Sequence, residues 1–154
     1  MTPFQTFYLV LSLVVFALAW TRGGHTERAG VAIMVCAYVV SLVAQFIHLN
    51  GFRIAEAAID LAVLSGFAWL ALRRDRWWTL AATALAVLVM VAHTLTFLSP
   101  DLTLQQIRAD IAARWGIGVL VILSLGAGVI ERWMAGEAPA SRLADWKPRR
   151  APTT

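Results

Sequence analysis

Residues 77–98 read WWTLAATALAVLVMVAHTLTFL. The stretch contains no Asp, Glu, Lys or Arg, and its one ionisable side chain is His93. As a helix rising 1.5 Å per residue it would be about 33 Å long, enough to cross a hydrocarbon core of about 30 Å. A barrel strand would alternate apolar and polar residues at every second position, and this run does not. It therefore predicts a membrane-spanning α-helix.

Working outward, four further stretches have the same character, at about 4–20, 29–48, 54–72 and 115–132. The chain of 154 residues is 60% hydrophobic and only 14% charged, against about 25% charged in soluble domains. So little charge cannot keep a surface wet, and five spans leave no room for a soluble catalytic domain. The expected fold class is an all-α integral membrane protein. Residues 1–133 form a bundle of five transmembrane helices, and residues 134–154, rich in Ala, Pro and Arg, form a flexible basic cytoplasmic tail. Ala17-Leu18-Ala19 faintly resembles a signal-peptide cleavage site, but no Lys or Arg precedes Phe4, so the first stretch is read as a span.

Positive charge sets the expected orientation. Arg22, Arg28, Arg73, Arg74, Arg76, Arg132, Arg142, Lys147, Arg149 and Arg150 fall on one side of a five-span topology, and only Arg53, Arg108 and Arg114 on the other. The positive-inside rule places the N-terminus in the periplasm and the C-terminus in the cytoplasm of a bacterial inner membrane. Trp20, Trp77, Trp78, Trp115 and Trp133 fall at predicted helix ends and read as lipid-interface anchors. The net charge of +4 does not indicate a nucleic-acid partner, because the basic residues lie between apolar segments and in the tail. Near the end of the tail, Leu143 and Trp146 stand beside Lys147, Arg149 and Arg150, a composition suited to anionic lipid.

Ser99-Pro100-Asp101 reads as a helix start, with a capping hydroxyl, proline at the first position and an acid in the first turn. Leu104, Ile107, Ile111 and Trp115 follow at helical spacing, with Arg108 and Asp110 off that stripe. The pattern predicts a short amphipathic periplasmic surface helix over about 100–114, before the last span. Cys36, alone in an apolar run, is read as a buried structural thiol. His25 and Glu27, after Gly23-Gly24, are expected to be solvated.

Ionisable groups inside spans are expensive, so each is a functional candidate. Glu56 and Asp60 are four residues apart and share a helix face with Arg53. Counting outward from the turns puts Gln45, Glu56 and His93 at one membrane level, His48 level with Arg53, and Asp60 one turn deeper. These six residues are predicted to converge in the outer third of the bilayer as an intramembrane polar cluster. If a metal is bound, its ligands would come from His93, Glu56, Asp60 and His48, and a bis-histidine haem would need His48 with His93. Ala58, Ala62 and Gly66, Ala82 and Ala86, and Ser124 and Gly128 give the small-residue spacing of closely packed membrane helices.

No catalytic residues can be assigned from the sequence. The first expected function is that of a small inner-membrane accessory or scaffold protein, acting through helix–helix contacts with a membrane-protein partner or with itself, in contact with lipid and with no cofactor. The first alternative is a small ion or proton channel or carrier using the polar cluster. The second is a haem- or divalent-metal-binding redox protein.

Overall fold

A computed structural model describes residues 3–44, 47, 54–99 and 103–140. It contains five helices in chain order: α1 (Pro3–Arg22), α2 (His25–Ala44), α3 (Ile54–Arg73), α4 (Trp77–Leu98) and α5 (Leu104–Met134). Each is long and apolar enough to cross a membrane. Each helix packs on its neighbours in sequence and α5 returns to α1, so the helices close into a ring, with α2 also touching α5 across it. Large apolar side chains such as Leu13, Val43, Leu72, Leu80, Leu95 and Phe97 point outward. That surface suits lipid, where backbone groups must be satisfied within each helix. Helical hydroxyls follow the same rule by turning back on their own backbone: Ser12 donates to the Tyr8 carbonyl at 2.7 Å and Thr83 to that of Thr79 at 2.7 Å.

The two ends of the bundle differ. At one end, here called the basic end, lie the Gly23-Gly24 turn, the turn after Arg73 and the C-terminal end of α5. The fully buried core sits toward this end and comprises Trp78, Phe67, Leu70, Ile122 and Leu125, with Ala19 and Ala82 filling the gaps. Small residues make that packing possible. A Cβ on Gly128 would collide with the Trp78 indole, and one on Gly30 would come within 2.8 Å of it. Gly128→Ala is therefore expected to destabilise the bundle by about 1–3 kcal/mol, the usual range for overpacking. The shift of its unfolding midpoint in mixed micelles checks this, and an unchanged midpoint would rule out the close α4–α5 contact.

Several expectations need correction. The segment 104–114 is not a separate surface helix, because α5 runs unbroken for 31 residues. No proline interrupts it, and Gly116 and Gly118 each cost a helix only about 1 kcal/mol. Its N-cap is Thr103, not Ser99: Thr103 and Gln106 form a reciprocal capping box, with the Thr103 N–H donating to Gln106 Oε1 at 2.8 Å. Pro100 and Asp101 lie outside the described residues. Trp78 is no interface anchor, since none of it is exposed, whereas Trp20, Trp77 and Trp133 do stand on the surface. Adjacent residues on a helix point about 100° apart, so when Trp77 faces outward Trp78 turns inward. Trp115 is half-buried and packs edge-on against Tyr8 and Phe4. Cys36 is exposed on the outer face of α2 and not buried.

Helix α5 ends at a Schellman turn. Gly136 takes φ +69°, and its N–H donates to the Trp133 carbonyl at 3.1 Å while that of Glu137 donates to the Arg132 carbonyl at 3.2 Å. The left-handed residue reverses the chain, so the tail does not leave the bundle at once. The Ala140 N–H reaches the Gly23 carbonyl at 3.2 Å. Residues 141–154, which hold the rest of the tail, lie outside the described residues.

Candidate functional site: a polar chain across three helices

The end of the bundle opposite the basic end holds a connected set of ionisable side chains. His93 on α4 is 3% exposed. Its Nε2 lies 2.7 Å from Asp60 Oδ2 on α3. Its Nδ1 lies 3.2 Å from an Arg114 terminal nitrogen on α5. The other Arg114 terminal nitrogen is paired with Asp110, one turn earlier on the same helix, and Glu56 Oε2 is 3.9 Å from Arg114.

The donors and acceptors in this chain are fixed by chemistry. A guanidinium can only donate, so His93 Nδ1 must accept. A ring accepting at Nδ1 carries its proton on Nε2, and that proton is donated to the Asp60 carboxylate. The geometry thus selects one tautomer of a neutral imidazole between a cation and an anion. Exposure grades along the chain: the Asp60 side chain is 36% exposed and Arg114 18%, with His93 deepest. Asp60 is the most exposed of the three groups.

Aromatic residues border the carboxylate. The Tyr8 hydroxyl on α1 is near enough to both Asp60 and Tyr38 to interact electrostatically with them. The Tyr8 ring packs edge-on to Trp115, with centroids 4.9 Å apart. Gly118 permits this approach: a Cβ there would stand 3.2 Å from the Tyr8 hydroxyl.

Of the six residues expected to converge, Asp60 and His93 are in direct contact and Glu56 joins them through Arg114. Gln45, His48 and Arg53 lie outside the described residues. Among the described residues the cation beside Glu56 is Arg114. The stripe of Leu104, Ile107 and Ile111 draws that segment onto the membrane surface, which keeps Asp110 and Arg114 out of the expected cluster. The signal was nevertheless present: His93 precedes the α4–α5 turn by about as many residues as Asp110 follows it, which puts them at one level. Tyr8 carried no comparable signal.

Among the described residues no three His, Cys, Asp or Glu side chains gather as a metal-binding group. No family model, no curated protein and no solved structure matches the chain.

Proposed function

We propose that the protein is a small proton-handling membrane protein, a proton-linked carrier or channel, in which the Asp60–His93 pair exchanges protons with the outer side. The observation that carries this reading is His93 itself, a buried imidazole held between a partly exposed carboxylate and a guanidinium. Asp60 receives the proton; once Arg114 releases Nδ1 the ring can turn, so that the free Nδ1 takes the proton from Asp60 and Nε2, now facing inward, gives up its own. Release requires Arg114 to move, and it has partners to move to, since Asp110 already holds it and Glu56 lies beside it. Lipid faces the outside of the ring, and the basic end lies in the cytoplasm of a bacterial inner membrane, as the positive-inside rule indicates.

The test uses the full chain in vesicles with a pH-sensitive dye inside and an imposed potential. Proton uptake is expected in the wild type and should be lost in Asp60→Asn, with the helical circular dichroism and melting midpoint retained. A variant that unfolds would make the pair a structural tie between α3 and α4. Equal uptake in the two proteins would sink the reading outright.

The accessory reading keeps one specific support. Between α2 and α3 an apolar groove of about 250 Å³ faces outward, lined by Ile33, Cys36, Ala37, Val40, Ile59 and Ala62. Small residues on an outward face favour close helix docking. Native mass spectrometry after gentle extraction separates the readings: a stoichiometric membrane-protein partner would favour the accessory role. A haem or metal adduct in the same spectrum would instead favour the redox reading, in which His93 and Asp60 would be joined by groups outside the described residues.

A further inference from the structure

At the basic end, Glu27 is a fully buried carboxylate that the outer polar chain does not use. Its Oε2 accepts the Gly24 N–H at 2.8 Å, and its Oε1 accepts the Trp78 indole N–H at 3.2 Å. The expectation of a solvated Glu27 is thus corrected. The paired glycines remove the side chains that would have held neighbours off, and the first turn of α2 folds under the end of α5. A Cβ on Gly24 would collide with the Arg132 guanidinium and stand 3.0 Å from Glu27 Oε2. Arg132 therefore lies over the turn, beside the buried carboxylate.

Arg132 is itself held in place. One terminal nitrogen lies 3.0 Å from Glu137 Oε2 and the other donates to the Ala138 carbonyl at 2.8 Å. Glu137 also pairs with Arg76 at the start of α4. The Schellman turn at Gly136 aims Glu137 back at both cations. Two arginines from different helices and the Ala140–Gly23 bond fasten one short strap across the end of the ring. Other charged groups lie at this end of the bundle, and His25 and Arg74 are partly buried. Arg28 donates to the Trp20 carbonyl at 3.0 Å, His25 begins α2, and Arg74 follows the end of α3.

We propose that Glu27 is a second proton-binding site, at the basic end, and that the Arg132–Glu137 strap is the latch controlling access to it. The proposal rests on the proton-handling reading of the His93 site and supplies its inner counterpart. Glu27 sits at the level of Trp78, 15 residues from His93 along α4, which places the two sites about 20 Å apart. Phe67, Ile122 and Leu125 fill the ring in this half and close the way between them. With the latch shut, the Glu27 carboxylate accepts two N–H donors and the Arg132 guanidinium lies on the other side of Gly24 from it. When the strap lifts and takes Arg132 with it, the buried carboxylate loses the positive charge nearby and meets water, and a proton then neutralises a charge that is costly to bury. Opening the strap and loading the inner site are then one event.

The experiment uses the full chain in vesicles and a hydrophobic carbodiimide, which modifies protonated carboxyls in apolar surroundings. Modification at Glu27 is read by peptide mass spectrometry. Glu137→Gln removes two partly exposed ion pairs, each weak, so Glu27 modification should rise about fivefold over wild type. Proton uptake should rise with it, and the circular dichroism should not change. Asp60→Asn should leave Glu27 modification at the wild-type level, because its effect is at the other end. If Asp60-dependent uptake is present but Glu137→Gln changes neither modification nor uptake, the latch is refuted and the outer reading stands. If Glu137→Gln raises modification while no Asp60-dependent uptake exists, the outer reading fails and the latch is supported.

Discussion

Trp78→Ala should cost the bundle about 3–5 kcal/mol, the range for removing the largest buried side chains. In lipid this loss does not arise from returning apolar surface to water, because the unfolded helices also lie in hydrocarbon. Two other terms make it up. The indole fills the space left by Gly30 and Gly128 and packs edge-on to Phe67, with centroids 6.3 Å apart and planes at 83°, so its removal leaves a cavity with its dispersion contacts unmade. It also donates to Glu27 Oε1, and Ala would leave a buried carboxylate oxygen without that donor. Trp78→Phe separates the two terms. It restores much of the volume but no N–H, and about 1–3 kcal/mol of the loss should remain. Trp77→Ala is the control, since Trp77 is half exposed and its indole bonds Glu131 at the rim. Unfolding by a graded denaturing detergent measures all three. Equal costs for Trp77→Ala and Trp78→Ala would show that Trp78 does not organise the core.

The contrast between these neighbouring tryptophans shows where the sequence stops being informative. Continuous apolar runs need no tertiary information to be recognised as spans, so the predicted stretches 54–72 and 77–98 lie close to Ile54–Arg73 and Trp77–Leu98. The inward face is harder to recognise. In water a helix separates apolar from polar sides, but in a membrane both faces are apolar and the side that turns inward carries little mark. Trp78 therefore looked like Trp77, and Cys36, on the outer face, looked buried. Glu27 was misread for a related reason. A charge near a helix end is ordinarily wet, and only the two preceding glycines hinted that another backbone comes close. The Asp60–His93 contact was legible because charges inside spans are scarce, and short turns fix their depth. Arg114 was not, because its apolar neighbours on α5 gave a surface helix an equally good pattern.

Arg114 decides whether the outer chain is a working relay or a tie between helices. Its two terminal nitrogens serve different partners, one reaching His93 Nδ1 and the other Asp110. Lysine has a single ammonium and cannot span both with the fixed fork of a guanidinium. Arg114→Lys is therefore expected to keep the pair with Asp110 one turn away and to lose the hold on His93. The fold should survive, while proton uptake falls as the imidazole tautomer is no longer fixed. Arg114→Gln removes the cation and leaves Asp110 and Glu56 without it. Breaking a buried pair costs about 3–5 kcal/mol, and partial exposure here reduces that to about 2–3 kcal/mol. Adding Asp110→Asn to Arg114→Gln removes one of the stranded charges and should recover much of the stability, since the two residues are in contact and their effects cannot simply add. Uptake should not recover with it, because the double variant has no cation at His93 Nδ1 and only Asp60 still holds the ring. A purely structural chain predicts the opposite coupling, with uptake and stability moving together through all three variants. The pairing of detergent unfolding with vesicle uptake on the same preparations distinguishes them.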